Sequence, residues 1–432
     1  MCGLILARDY ADFEIQAALD KMSYRGKDKK SGITERGSWI LGHVRLAIQD
    51  LSEASAQPVD REHFSLAYVG ELFGLPAEAN ELQTVVDTYQ KEGPWGFQKF
   101  DGFWAIAAIW EDKAQVFVDY LSQKPLYYWE RFHIVCSELD PMFELEEKPE
   151  FDHIYLANVI KFGYDCTGRT PYQGIRQIPS GTMLELSGNA SPAISLPYWN
   201  WNKVKIESYD LKELVTTATL NRLVGDREVG LLLSGGLDSS IIYSILKEAD
   251  VRLRCFSIEN GESEFLPYGV EAMPKGHTEI EEALKAMQCP VDLGSMVPQY
   301  ELGQALKDRG LNVCLSGDGA DELFGGYRRA MEYDSQASDI FMELPYYHLP
   351  RLDRLMMRHT VELRTPFLAP QVVAYALLVQ YESRTQKQLL KWAFKDSVPK
   401  RILNRVKHPL KSEAVIQGGI QYRKHLVGLF TC

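Results

Sequence analysis

The sequence is poor in cysteine, holds no long apolar run and shows no surplus of positive charge. Its 432 residues include seven cysteines, at 2, 136, 166, 255, 289, 314 and 432, and no two form a CxxC pair. That spacing argues against a disulfide framework or a zinc ribbon and favours a reducing, cytoplasmic setting. HExxH is also missing, which disfavours a zinc hydrolase. The longest apolar run, Phe103 to Trp110, has eight residues, against the ~18 that a membrane helix needs, so no membrane partner is expected. Arg8 and Asp9 interrupt the N-terminus early and no basic leader precedes them, so no signal peptide is expected. Lys and Arg total 47 against 59 Asp and Glu, a net charge of −12. Such a balance makes nucleic acid an unexpected partner. The phosphate-binding pattern GxxxxGK(S/T) is absent as well.

What is present divides near residue 200. Residues 1–200 carry short β-like runs: Trp39–His43, Ser65–Val69, Phe103–Trp110, Gln115–Asp119, Leu126–Trp129 and His133–Cys136. Helical stretches at Phe13–Met22, Gln83–Lys91 and Ile154–Lys161 interrupt them, the pattern of a layered, β-rich domain. Leu186–Trp201, with Gly188, Pro192 and Pro197, reads as a linker. Residues 205–432 alternate strand and helix. Val229–Leu233 and Leu311–Leu315 are continuous apolar runs, as expected of parallel strands buried on both faces.

Cys2 and Gly3 follow the initiator methionine. With Met1 removed, Cys2 would join a thiol and an α-amine of similar pKa, so the amine can serve its own nucleophile as base. Further on stand Tyr24-Arg25-Gly26-Lys27-Asp28, Gly42-His43-Val44-Arg45-Leu46-Ala47-Ile48 and Val69-Gly70-Glu71. Asp119 to Tyr128 (DYLSQKPLYY), Cys136-Ser137-Glu138, Phe162-Gly163-Tyr164 and Ile178-Pro179-Ser180-Gly181 continue the series. Together they resemble the class II glutamine amidotransferases, and specifically the asparagine synthetase family, over nearly all of residues 1–200. The resemblance implies a nucleophile at Cys2 and glutamine held by Arg45, Leu46, Ile48, Val69, Gly70, Glu71 and Glu81. Arg45 would take the α-carboxylate, a task suited to a guanidinium fork. Two departures stand out. Val69 replaces the family's oxyanion-hole asparagine, leaving the Gly70 N–H, and one lost donor costs on the order of 10²–10³ in rate. Glu81 replaces a shorter aspartate. A weakened or substrate-gated glutaminase is the resulting expectation.

Ser234-Gly235-Gly236-Leu237-Asp238-Ser239-Ser240 follows one apolar run and precedes a helical stretch. Glycines and a helix N-terminus form a cradle for phosphate, and Asp238 offers a hard oxygen to Mg²⁺. It resembles the pyrophosphate loop of the ATP pyrophosphatases. After the second run, Leu315 to Tyr327 (LSGDGADELFGGY) resembles the asparagine synthetase signature without a mismatch. The resemblance implies ATP and Mg²⁺, with Asp238 and Asp318 on the metal. It also implies Leu232, Ser234, Gly235, Gly236, Ser239, Ile258, Ser316, Gly317 and Lys387 around the nucleotide.

Arg384–Lys411 carries nine Lys/Arg and one acid, with Lys387, Lys391 and Lys395 spaced as one helix face. Arg405-Val406-Lys407 resembles the family's R-x-K segment, whose lysine contacts phosphate. Glu362 lies in an E-x-R-x-P-F-L run that resembles the family's, preceded by Arg351-Leu352-Asp353-Arg354. Its carboxylate either orients groups around the intermediate or pairs with Arg364. Between Ile258 and Leu311 the resemblance thins and the chain is short. Gln288-Cys289-Pro290-Val291-Asp292 lacks the family's acid at its expected place, leaving Asp292 or Glu264 as substitutes.

The expected fold is α/β: an Ntn-type αββα glutaminase domain, then a doubly wound parallel sheet of the ATP pyrophosphatase type. The expected function is an ATP-dependent amide-forming ligase that takes ammonia from glutamine and amidates an adenylated carboxylate, aspartate by family default. Its partners would be small molecules, and a homodimer stays open. Rivals are the same chemistry on another carboxylate, such as a secondary-metabolite or modified-base precursor, and a catalytically impaired regulatory paralogue. A β-lactam-forming cyclase fits less well, because such relatives lack the N-terminal cysteine.

Overall fold

The protein is described here by a computed structural model covering residues 2–26, 32–76, 78–187, 193–258, 265–267, 269–273, 278–292, 294–327, 337–405 and 419–431. The first half contains β1 (Gly3–Arg8), α1 (Asp12–Lys21), β2 (Gly32–Arg36), β3 (Trp39–Val44), β4 (Val59–Asp60) and β5 (Ser65–Phe73). It continues through α2 (Glu81–Glu92), β6 (Asp101–Ile109), β7 (Lys113–Val118), β8 (Tyr127–Trp129) and β9 (Ile134–Cys136). α3 (His153–Phe162), β10 (Ile175–Gln177), β11 (Thr182–Ser187) and β12 (Ile194–Pro197) complete it.

These strands make two antiparallel six-stranded sheets, ordered β10-β8-β9-β1-β3-β2 and β12-β11-β7-β6-β5-β4. Leu4, Leu41, Val69, Ala105 and Val116 belong to the apolar layer between them. Ile15 and Leu19 of α1 pack on the first sheet, and α2 packs against β5 on the second. The result is helix on sheet on sheet on helix. Central strands read as unbroken apolar runs because both faces are covered. β5 extends past its apolar run to Phe73, passing Gly70, whose φ is +153°. A Cβ at Gly70 would lie 2.1 Å from the Phe103 carbonyl oxygen, so a side chain has no room there.

Within the segment read above as a linker, residues 193–201 are more ordered than that. Ile194–Pro197 forms an edge strand on Thr182–Glu185, while its side chains stay exposed. Ile194 and Leu196 alternate with Ser195, yet both stay exposed at this sheet edge.

The second half begins with α4 (Leu211–Asn221), β13 (Val229–Leu232), α5 (Leu237–Glu248), β14 (Arg254–Ile258), β15 (Glu271–Met273), α6 (Ile280–Met287) and α7 (Met296–Asp308). β16 (Val313–Leu315), α8 (Ala320–Leu323), α9 (Ala337–Met342), α10 (Leu349–Met357), β17 (Glu362–Arg364) and α11 (Pro370–Leu378) follow. Five parallel strands stand in the order β15-β14-β13-β16-β17. The chain runs outward from β13 in one direction and then restarts at β16 in the other. The switch point therefore lies between β13 and β16, and ligands of such sheets bind in the crevice beyond the C-terminal strand ends. Both glycine-rich loops leave the sheet there. Among the described residues, no helix is long and apolar enough to cross a membrane.

Candidate functional site

β1 sets Cys2 beside the segment after β3, because Gly3 pairs with Val44. The thiol is buried and lies 3.8 Å from the Leu46 carbonyl oxygen. Burial raises its pKa, with nearby positive charge and the Leu46 contact opposing that rise. The turn ending at Gly26 closes over the same segment; a Cβ there would sit 2.5 Å from the Arg45 carbonyl carbon. Arg25 Nε donates to the Cys2 carbonyl oxygen at 3.0 Å. Lys27 and Asp28 of that motif lie outside the described residues.

Leu46, Ile48 and Val69 are buried nearby, and Val69 presents only apolar carbon. Arg45 fastens a loop: its Nη1 donates to the Ser52 carbonyl at 2.8 Å and its Nη2 to that of Asp50. The Asp50 carboxyl is held down at about 2, first by the Ser52 and Ser55 side chains and more weakly by Arg45.

Around this point two carboxylates pair with one guanidinium, and a third is buried near them. Glu71 accepts from Gln49 Nε2 and lies 3.5 Å from Arg364 Nη2. Glu362 Oε1 accepts from Arg364 Nε at 2.7 Å. Glu81, the first residue of α2, accepts from the Tyr68 hydroxyl at 3.1 Å and from the Leu72 N–H. Burial, then the charge of Glu362, pushes the Glu71 carboxyl up to about 7. Glu81 rises well above the ordinary range, through burial and then the charge of Glu71. Of the two readings of Glu362, its place is in the buried pair with Arg364, facing the first half of the chain. Its strand register puts it beside Val313, below the loop that follows Leu315.

At the switch point, Gly235 has φ +72° and Gly236 caps α5. Ser234 Oγ lies 3.2 Å from Ser239 Oγ, and the Gly236 N–H donates to Ser234 Oγ at 3.3 Å. Leu232 is half-buried at the end of β13, and Ile258 is half-buried at the end of β14. The two loops touch: a Cβ on Gly317 would be 2.8 Å from Asp238 Cβ. Ser316 is anchored by its N–H to the Arg364 carbonyl at 2.9 Å.

Lys387 Nζ stands 2.6 Å from Asp238 Oδ2 and 2.6 Å from Asp321 Oδ1. Burial opposes its charge, but the two carboxylates outweigh burial and raise its pKa. Gln386 and Lys387 both adopt positive φ, +54° and +58°, which is costly for non-glycine residues. Their N–H groups donate to Gly325 and Phe324 at 2.8 Å, so the signature loop itself holds the strained pair. Lys387 consequently precedes the helix Gln388–Ala393 instead of sharing a face with Lys391 and Lys395, as the spacing predicts.

Asp318 goes elsewhere. Its Oδ1 pairs with Arg351 Nη2 at 2.7 Å and its Oδ2 accepts from Ser316 Oγ. The carboxylate that shares a cation with Asp238 is therefore Asp321. Two hard oxygens on one cation position, beside a phosphate-type loop, suit Mg²⁺ completed by substrate phosphates. Arg405 Nη1 donates to the Gly235 carbonyl at 2.6 Å, bringing the first residue of the R-x-K segment to this loop. Lys407 and Glu264 lie outside the described residues. Asp292 pairs with Arg423 at 2.6 Å, and its N–H donates to the Gly163 carbonyl at 2.7 Å. It therefore faces the first half of the chain.

Sequence reasoning gave no role to Arg25, Arg351 or Asp353. Each appears in a quoted motif, but their partners lie tens to hundreds of residues away. Charged residues inside otherwise apolar runs are the available signal, since buried charges need partners.

The comparisons with known proteins agree across both halves. The glutamine amidotransferase domain family matches residues 1–199, and the asparagine synthase family matches 210–343 and 333–424. The chain is 26% identical to the probable glutamine-hydrolysing asparagine synthetase of Acanthamoeba polyphaga mimivirus, covering 99% of this chain and 88% of that protein. It is 25% identical to asparagine synthetase B of Escherichia coli strain K12, over 89% of this chain and 76% of that protein. With asparagine synthetase 1 of Lotus japonicus the identity is 23%, over 94% and 77%.

Proposed function

Because this chain belongs to the asparagine synthetase family of glutamine-hydrolysing ligases, we propose that it forms an amide from glutamine, ATP and a carboxylate, releasing AMP and pyrophosphate. The observation that carries this reading is the meeting of both glycine-rich loops at the switch point, with Lys387 bridging Asp238 and Asp321. A site so arranged binds phosphate and positions it, and it contains no nucleophile of its own.

In the first half, Cys2 would attack the glutamine side-chain amide, with its own α-amine as base once Met1 is gone. The Gly70 N–H would serve the developing oxyanion. Glu71 and Glu81 would meet the α-ammonium, whose charge would favour the ionised forms of both carboxyls. Arg45 would turn from the 50–52 loop to the α-carboxylate. Ammonia would then pass to the second half and attack the acyl-adenylate. Mg²⁺, when bound, neutralises triphosphate charge, and we assign it to Asp238 with Asp321 in place of Asp318, which Arg351 engages. Lys407 keeps its sequence-based role on phosphate. We divide the chain into domains at 1–200 and 205–432 and place it in the cytoplasm, the latter on cysteine spacing alone.

A second acceptor reading is favoured by Asp292. Its pairing with Arg423 takes it out of adenylate formation, so the acceptor pocket departs from the family pattern and aspartate need not be the substrate. Incubation with glutamine, ATP, Mg²⁺ and a panel of carboxylates, read by mass detection of the amide and release of pyrophosphate, tests both readings. Asparagine formation supports the family default, and an amide of another acid supports the second. No turnover on any acid, with ATP still bound, would sink the ligase reading and favour a regulatory paralogue.

A further inference from the structure

α10 lies between the two sites and is buried along its whole length, Leu349 to Met357. Arg351 and Asp353 are two positions apart, about 200° round a helix, so they point to opposite sides. Arg351 faces the signature loop, pairing with Asp318 at 2.7 Å and donating to Ser295 Oγ. Asp353 faces the other way and pairs with Arg25 at 2.9 Å and Lys124 at 2.8 Å. Arg25 spends its remaining donors on Glu138 and on the carbonyl oxygen of Cys2, at 3.0 Å for the latter. Arg25, Glu138 and Asp353 are each only 1% exposed. The backbone of the candidate nucleophile is thus held by a guanidinium whose other arm belongs to the second half of the chain.

We propose that α10 couples the two sites, with Asp353 as the positioning residue through which the nucleotide loops set the Cys2 backbone. The inference rests on the reading of Cys2 as the glutaminase nucleophile. Its physical content is a difference in contacts between two states. Arg351 is held by Asp318. An arriving anionic phosphate competes with Asp318 for that guanidinium. A helix packed on all sides responds as a body and does not deform gradually. A shift at Arg351 therefore reappears at Asp353, and from there at Arg25 and Cys2. Coupling of this kind is reciprocal: if ATP changes glutamine affinity, glutamine changes ATP affinity by the same factor.

Reciprocity permits a test without turnover. In full-length Cys2→Ala protein, ATP·Mg²⁺ affinity is measured by calorimetry with and without saturating glutamine. Glutamine is expected to tighten ATP at least about fivefold, the lower end of ordinary coupling. Adding Asp353→Asn should bring that ratio below twofold while ATP affinity without glutamine stays put. Arg351→Lys, at the other end of the relay, keeps the charge and provides a second reading should Asp353→Asn fail to fold. It should likewise shrink the ratio. A purely structural ion pair would lower the melting temperature and leave the ratio intact, which overturns the proposal. Equal ATP affinity with and without glutamine in the parent, both ligands bound, overturns it too. Failure of Cys2→Ala to bind glutamine at all would instead bring down the glutaminase reading, and this inference with it.

Discussion

Cys2 meets its neighbours across strands far apart in sequence, whereas Asp238 and Asp321 sit in loops whose chemistry is written in consecutive residues. The first site lies in an apolar sandwich, where Val69 puts a carbon surface in place of a donor. The second lies at the open end of a parallel sheet, and its charges are cross-linked by Lys387. The contrast teaches where each can vary. A sandwich site tolerates an apolar exchange at one strand position, because packing there is satisfied by shape. A crevice in which one lysine bridges two carboxylates does not, because removing the lysine leaves two like charges close together.

The sharpest way to break the comparison is to remove one site and read the other. Cys2→Ala should abolish glutamine-dependent amide formation by on the order of 10⁴ or more. Ammonia-dependent formation should persist, because the second site does not use the thiol. Loss of both activities would mean that the two sites are not separable. Next in size is Lys387→Ala. It leaves Asp238 and Asp321 facing each other without their shared cation, so a stability loss of about 3 kcal/mol is expected. Denaturant unfolding measures that loss, and amide formation from ammonia should fall with it. Excess Mg²⁺ should recover part of the stability if the two carboxylates form its site.

Much of this was legible beforehand, and the pattern of success follows from distance along the chain. The signature loop follows a buried strand, as its apolar prefix indicates, and its glycines sit where close approach demands them. Gly317, against Asp238, is one example. Local spacing misled at Lys387, where a four-residue period suggested a helix face. The loop it contacts imposes two left-handed residues instead, a tertiary constraint with no local trace. The resemblance put Asp318 beside Asp238, whereas in the structure Arg351 engages Asp318 and Asp321 meets Lys387. The edge strand Ile194–Pro197 alternates Ile and Leu with Ser, but Pro192 and Pro197 flag the segment as a linker, and its apolar side chains stay exposed. Glu362 was ambiguous for a related reason: its neighbour Glu71 comes from the other half of the chain.

Val69 offers a test that sharpens the contrast in the opposite direction. Val69→Asn restores the family's donor beside Gly70 and should raise glutaminase kcat by roughly 10-fold to 10²-fold. Because residue 69 is buried in the apolar layer, the amide should also lower stability by about 1–3 kcal/mol. A gain in rate with a loss in stability is the expected outcome. Unchanged kcat would indicate that the oxyanion is served from elsewhere.

The smallest effect concerns pH. The Glu71 carboxyl is pushed up to about 7 from an ordinary 4.5, by burial first and by Glu362 second, with Arg364 opposing. A raised carboxyl is protonated more readily in the folded chain than in the unfolded one. Its contribution to stability is therefore complete below 4.5 and is lost as pH rises through 7. Thermal midpoints should fall across that window, and Glu71→Gln should flatten the fall. Function runs the other way. The α-ammonium of glutamine prefers the ionised carboxylate, so the KM for glutamine should drop a few-fold as pH rises from about 6 to 8. Stability and affinity thus change in opposite directions over the same titration, a signature that a surface carboxylate would not produce. A glutamine KM that stays flat over that range would show that the cluster of Glu71, Glu81 and Glu362 is not where the ammonium binds.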